Sequence, residues 1–144
     1  MDRLIALASI PFQNEEGATV ALIGSLAYLC CMLIFVALLI AAQWKIFVKA
    51  GKPGWAAIVP IYNIVILLEL VGRPLWFIIL FFIPLLNVVA AILLAIDLAL
   101  SFGKDMVYAI LIILFSPIML LVLGFGSAEY VGPGAAKNPI FPAN

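Results

Sequence analysis

The chain has 144 residues, 68% of them hydrophobic and only 10% charged, with seven basic and seven acidic side chains and a net charge of zero. Soluble domains average about 45–50% apolar and about 25% charged, so no separate soluble domain is expected, and the balanced charge excludes the basic face that a nucleic-acid partner requires. The absence of histidine removes the commonest metal ligand and general base, so neither a metal nor another cofactor is expected.

Met1, Asp2, Arg3 and the apolar stretch from Leu4 to Ile10 resemble a leader, but the stretch is short and meets Pro11 ahead of Glu15 and Glu16. Residues 1–17 are therefore read as an interfacial segment that is not cleaved. Charge then vanishes between Glu16 and Lys45, which exceeds the roughly 20 helical residues a hydrocarbon core requires. A first span is predicted over 18–42. Cys30 and Cys31 fall inside it, as small core or lipid-facing residues rather than a redox or metal site.

The helix is expected to continue to Ala50, because Lys45, Lys49 and Lys52 recur at i, i+4 and i+7 and share one face. Gly51 is the natural stop. Trp44 and Trp55 bracket this cluster as they would at a membrane interface, and the lysines mark the cytoplasmic side, which places the N-terminus outside. The same lysines are candidate ligands for anionic lipid headgroups, at about 1 kcal/mol each.

The second apolar run, 55–72, contains Pro60, Asn63 and Glu69 and permits two readings. As a true span it completes a four-helix bundle with spans near 18–42, 55–72, 75–97 and 106–124. As a re-entrant or interfacial helix it leaves three spans. Apolar length favours four, whereas the positive-inside rule favours three; the four-span transmembrane bundle over 18–125 is the preferred all-α reading. The Pro/Gly-rich tail, 126–144, is expected to be extended or loosely ordered.

Pro60-Ile61-Tyr62-Asn63 is echoed by Pro84-Leu85-Leu86-Asn87. A proline within a span frees the carbonyl four residues earlier, which in lipid needs a polar partner. With a rise of about 1.5 Å per residue, both asparagines fall about 12 Å from the inner boundary. Asn63 and Asn87 are therefore expected to face each other or share a buried water, a contact worth about 0.6–2 kcal/mol, as a helix fastening or as a polar site of the kind found where transporter helices break.

Ala91, Ala95 and Ala99 continue a row of small residues from Asn87 and predict a close helix interface. Glu69 precedes Arg73 by four residues and Asp97 precedes Lys104 by seven, so each carboxylate is expected to pair with a base on its own helix face. In the four-span reading Glu69 and Asp97 lie near opposite membrane faces. As ionisable groups within spans they are also candidates for handling a proton or cation.

Taken together, Trp44 to Trp55 (WKIFVKAGKPGW), Ile58 to Asn63, Val71 to Pro74 and the AIDLA string at 95–99 with Ser101 to Lys104 (SFGK) resemble a bacterial family of small multi-pass membrane proteins of unknown function. The resemblance covers roughly Trp44 to Gly134, and its segment also occurs fused ahead of signal peptidase I catalytic domains in some bacteria. No Ser–Lys dyad on a soluble sheet is evident here, so that activity does not transfer. The resemblance implies a bacterial inner-membrane location and a module able to accompany another protein.

The preferred functional reading is a non-catalytic accessory or scaffold subunit that packs against a larger membrane partner; the expected partners are the lipid bilayer and other membrane subunits or a second copy. The alternative is a small oligomeric carrier or channel using Asn63, Asn87, Glu69 and Asp97. An intramembrane enzyme is disfavoured, because the chain has neither a Gly-x-Ser-Gly nucleophile nor a Gly-x-Gly-Asp carboxylate motif, and no catalytic residue is assigned.

Overall fold

The computed structural model describes residues 1–140, and for residues 3–14 the backbone alone. Among the described residues there is no strand. Six α-helices follow in order: α1 (Asp2–Lys49), α2 (Pro60–Val71), α3 (Ile79–Phe82), α4 (Pro84–Ser101), α5 (Met106–Leu114) and α6 (Ser116–Phe125). Short 3-10 turns occupy Gly54–Ala57, Leu75–Ile78 and Ala135–Lys137.

The chain divides into two units, Met1–Ala37 and Leu38–Asn144. The first is the N-terminal part of α1, with an apolar surface of exposed residues such as Leu22, Leu26, Leu29 and Leu33. Pro11 lies inside this helix, and the backbone shows no boundary where the interfacial segment was expected to end.

In the second unit, prolines start helices instead of kinking them. Pro60, Pro84 and Pro117 occupy the first or second position of α2, α4 and α6, where the missing N–H belongs to a group the helix leaves unpaired anyway. The preceding Val59 and Ile83 are extended, with ψ of 108° and 114°, because the proline ring clashes with a helical predecessor. The Pro-x-x-Asn echo is thus a repeated helix start: the Asn63 N–H donates to Val59 O at 2.7 Å and the Asn87 N–H to Ile83 O at 2.8 Å. No mid-helix carbonyl is freed at either proline.

Helix ends repeat as well. Gly51, Gly72 and Gly103 take φ of 70°, 83° and 64°, the left-handed turn that closes a Schellman cap. Each is followed by a base whose N–H reaches back five residues: Lys52 to Phe47 O (2.8 Å), Arg73 to Leu68 O (2.8 Å) and Lys104 to Ala99 O (2.9 Å).

Among the described residues, two helices are long and apolar enough to cross a membrane, Glu15–Lys49 and Pro84–Ser101. The expected span at 75–97 is interrupted at the extended Ile83, with α3 before it and α4 after it, and the expected spans at 55–72 and 106–124 contain shorter elements: α2 has 12 residues, α5 has 9 and α6 has 10. At about 1.5 Å per residue these measure about 18, 13 and 15 Å against a core of about 30 Å.

The limbs on either side of each proline pack against each other. Trp55 stacks on Tyr62 with centroids 4.9 Å apart. Phe77 joins Ala90, Leu93 and Leu68 in one buried cluster, and Ala109 and Ile112 of α5 share another with Met119 of α6. The largest cluster gathers Ile46 and Phe47 of α1 with Leu70, Leu98 and Leu123. At Gly124 a Cβ would lie 2.5 Å from Ala42 O, so α6 meets α1 backbone to backbone.

Candidate functional site

The Schellman turn at Gly72 takes Arg73 off the axis of α2. Its guanidinium reaches α4, where Nε donates to Asp97 Oδ2 at 2.6 Å and Nη2 to Asp97 Oδ1 at 3.1 Å. Asp97 has no exposed surface, and Arg73 is 9% exposed. A two-pronged guanidinium–carboxylate pair of this kind is among the stronger charge-assisted contacts, and its geometry leaves little freedom. The Arg73 guanidinium also lies 5.5 Å from the centroid of the Phe77 ring.

The tail closes this pair. Asn138 Nδ2 donates to Asp97 Oδ1 at 2.5 Å, and Asn138 Oδ1 accepts the N–H of Ile140 at 2.9 Å. Ser101 Oγ donates to Asp97 O at 2.7 Å and accepts the Gly134 N–H at 2.8 Å. A Cβ at Gly134 would come within 1.8 Å of Asp97 O, so only glycine lets the strap lie this close to α4. Val131 N–H donates to Ser101 O, and Tyr130 OH to Leu70 O at 2.7 Å, with its ring edge-on to Phe102. Described residues 127–140 therefore form a strap over the ends of α2 and α4, with little regular secondary structure but held by hydrogen bonds; 141–144 lie outside the described residues.

The expected same-helix ion pairs are replaced by pairs between segments. Glu69 joins Lys52 at 2.9 Å and Arg73 joins Asp97, while Lys104 lies 5.8 Å from the centre of the Tyr108 ring. The capped glycines are the cause, since Gly72 and Gly103 end their helices before Arg73 and Lys104. Glu69 and Asp97 consequently belong to the same end of this unit, since Arg73 follows Glu69 by one turn. They do not lie at opposite ends of it.

The expected Asn63–Asn87 contact is also replaced. Asn63 exchanges two hydrogen bonds with Gln43 of α1, at 2.9 and 3.1 Å, and donates to Ala57 O at 3.3 Å. Asn87 is exposed and lines a groove of about 350 Å³ with Ala91, Ala95, Ile112 and Ser116. The alanine row divides: Ala95 and Ala99 are buried against Ala109 and Ile112 of α5, whereas Ala91 is exposed.

The basic cluster makes contacts within the unit while Lys45 stays exposed. Lys49 Nζ donates to Leu123 O and Gly126 O, both at 2.7 Å, and Lys45 sits 4.6 Å from the Phe125 ring centre. Tyr130, Gly134 and Asn138 complete the site with Ser101 of α4 but carry no warning in the sequence, because the strap brings them to partners 33 to 60 positions away. Gln43 did leave a trace, as the one amide in the charge-free stretch between Glu16 and Lys45.

Helical limbs turned back at prolines, with a buried ion pair strapped across their ends, define an all-helical apolar module. The chain belongs to a family of unknown function, DUF5684, whose model matches residues 55–133, just over half of the chain. No curated protein and no solved structure matches it.

Proposed function

We propose that this chain is a non-catalytic integral membrane module of the bacterial inner membrane, an accessory or scaffold subunit with its lysine-bearing end in the cytoplasm and its N-terminus outside. The observation that carries this reading is the saturation of Asp97: both carboxylate oxygens are taken by Arg73 and Asn138 at a site without exposed surface. A carboxylate so held braces helices and offers no oxygen to a passing ion. The exposed apolar surface of α1 and of the limb tips supports contact with lipid and neighbouring subunits.

Extraction from native membranes in mild detergent tests the reading. A stable, stoichiometric complex with unrelated membrane subunits is the expected result; a chain that purifies alone or only with itself would overturn it. A second reading, a small oligomeric carrier, is favoured by the groove at Asn87 and Ser116, where two exposed polar side chains lie among apolar ones. Flux through reconstituted vesicles that disappears in Asn87→Leu while assembly persists would support it.

A further inference from the structure

We infer that residues 53–125 enter the membrane as three consecutive helical hairpins from one and the same face, presenting apolar tips to lipid acyl chains and a shared polar mouth to the headgroups and water. The inference rests on the membrane location proposed above.

Each hairpin starts at a capped glycine followed by a base, at Gly51-Lys52, Gly72-Arg73 and Gly103-Lys104. Each turns at a proline, Pro60, Pro84 or Pro117. Contacts between the starts and ends then fix them at one level. In the first hairpin Lys52 pairs with Glu69. In the second Arg73 pairs with Asp97. In the third, Tyr108 of α5 packs against the cluster that holds Leu123 of α6, while Lys49 binds Leu123 O and Gly126 O. The strap ties the second mouth to the third through Val131 and Ser101.

Limb lengths agree with these contacts. From Pro60 to Glu69 the rise is about 14 Å, and α5 and α6 rise about 12–14 Å, short of a core of about 30 Å; α4, with 18 residues, is long enough to cross, and it is the Arg73–Asp97 contact that brings its far end back to the level of the hairpin's start. Ile61, Leu85 and Leu114, at or beside the tips, are 77%, 85% and 68% exposed, where hydrocarbon is the solvent that suits them.

Charge counting agrees independently. Four spans divide the seven basic residues four to three and three spans five to two, whereas one-face hairpins bring Lys45, Lys49, Lys52, Arg73, Lys104 and Lys137 together against Arg3 alone. The positive-inside rule then makes the mouth cytoplasmic.

Single-cysteine variants of the full chain, in a Cys30→Ala/Cys31→Ala background, provide the test: Lys52→Cys, Pro74→Cys, Asp105→Cys and Ser127→Cys, reacted with a membrane-impermeant maleimide in right-side-out and inverted vesicles. All four labelling only from the cytoplasmic face is the expected result. Labelling of position 105 alone from outside would establish three spans and overturn the inference, as would labelling of positions 74 and 127 from outside, the four-span pattern. Release of the chain by alkaline carbonate would overturn the membrane location itself, a failure distinct from either labelling pattern.

Discussion

Arg73 and Asp97, 24 positions apart, form the contact on which the strapped end of the molecule depends. Removing one partner leaves a buried charge uncompensated, at a cost of about 3–5 kcal/mol, whereas replacing both by apolar residues of similar volume is often near neutral. Arg73→Met and Asp97→Leu are each expected to lower the melting temperature in detergent sharply, and the double variant to recover most of the loss; additive losses would contradict the clamp. Asn138→Ala should cost about 1.5–3 kcal/mol as a lost bond to a charged group. Burial raises the Tyr130 phenol above its ordinary value of about 10. The stability tied to its protonated form is therefore complete below the ordinary value and falls as pH rises through the raised one. Alkaline melting curves should show that decline, and Tyr130→Phe should flatten it. The i+4 spacing of Glu69 and Arg73 was legible in the sequence, but the true partners were not, because Gly72 ends the helix between them and Asn138 arrives from a segment with no periodic signal.

At the scale of elements, the prolines were visible and their meaning was not. An apolar run of about 18 residues has the same composition whether it crosses once or goes in and returns, and hydropathy length does not distinguish the two. The distinction lies in Val59 and Ile83, whose extended backbone makes the following proline a helix start. The same geometry gave Asn63 its partner on α1. Gln43→Leu should therefore weaken α1–α2 packing by about 0.6–2 kcal/mol. Asn87→Leu should leave stability in detergent unchanged, since the Asn87 side chain is exposed and no contact with Asn63 forms. A loss from Asn87→Leu with none from Gln43→Leu would restore the asparagine pair. Of the alanine row, Ala95 and Ala99 were legible as an interface, and their partner, α5, came from the same chain.

At the scale of the whole molecule, the helical class and the apolar character follow from composition alone, whereas the number of crossings depends on contacts between residues far apart in sequence. Three units of glycine cap, base, limb and proline turn make the second unit a repeat that weak sequence similarity between its parts conceals. Two ion pairs, Lys52–Glu69 and Arg73–Asp97, hold the ends of its limbs together, and much of its outer surface is apolar. The third hairpin is its most exacting part, since α5 and α6 together could otherwise cross the bilayer. Spin labels at positions 105 and 127, in the background lacking Cys30 and Cys31, measure this directly by pulsed dipolar spectroscopy. Antiparallel limbs packed at about 8–10 Å between axes hold these positions about 10–15 Å apart at the backbone. A continuous crossing would separate them by about 33 Å. A short distance is the predicted result, and a distribution centred near the longer value would contradict the hairpin.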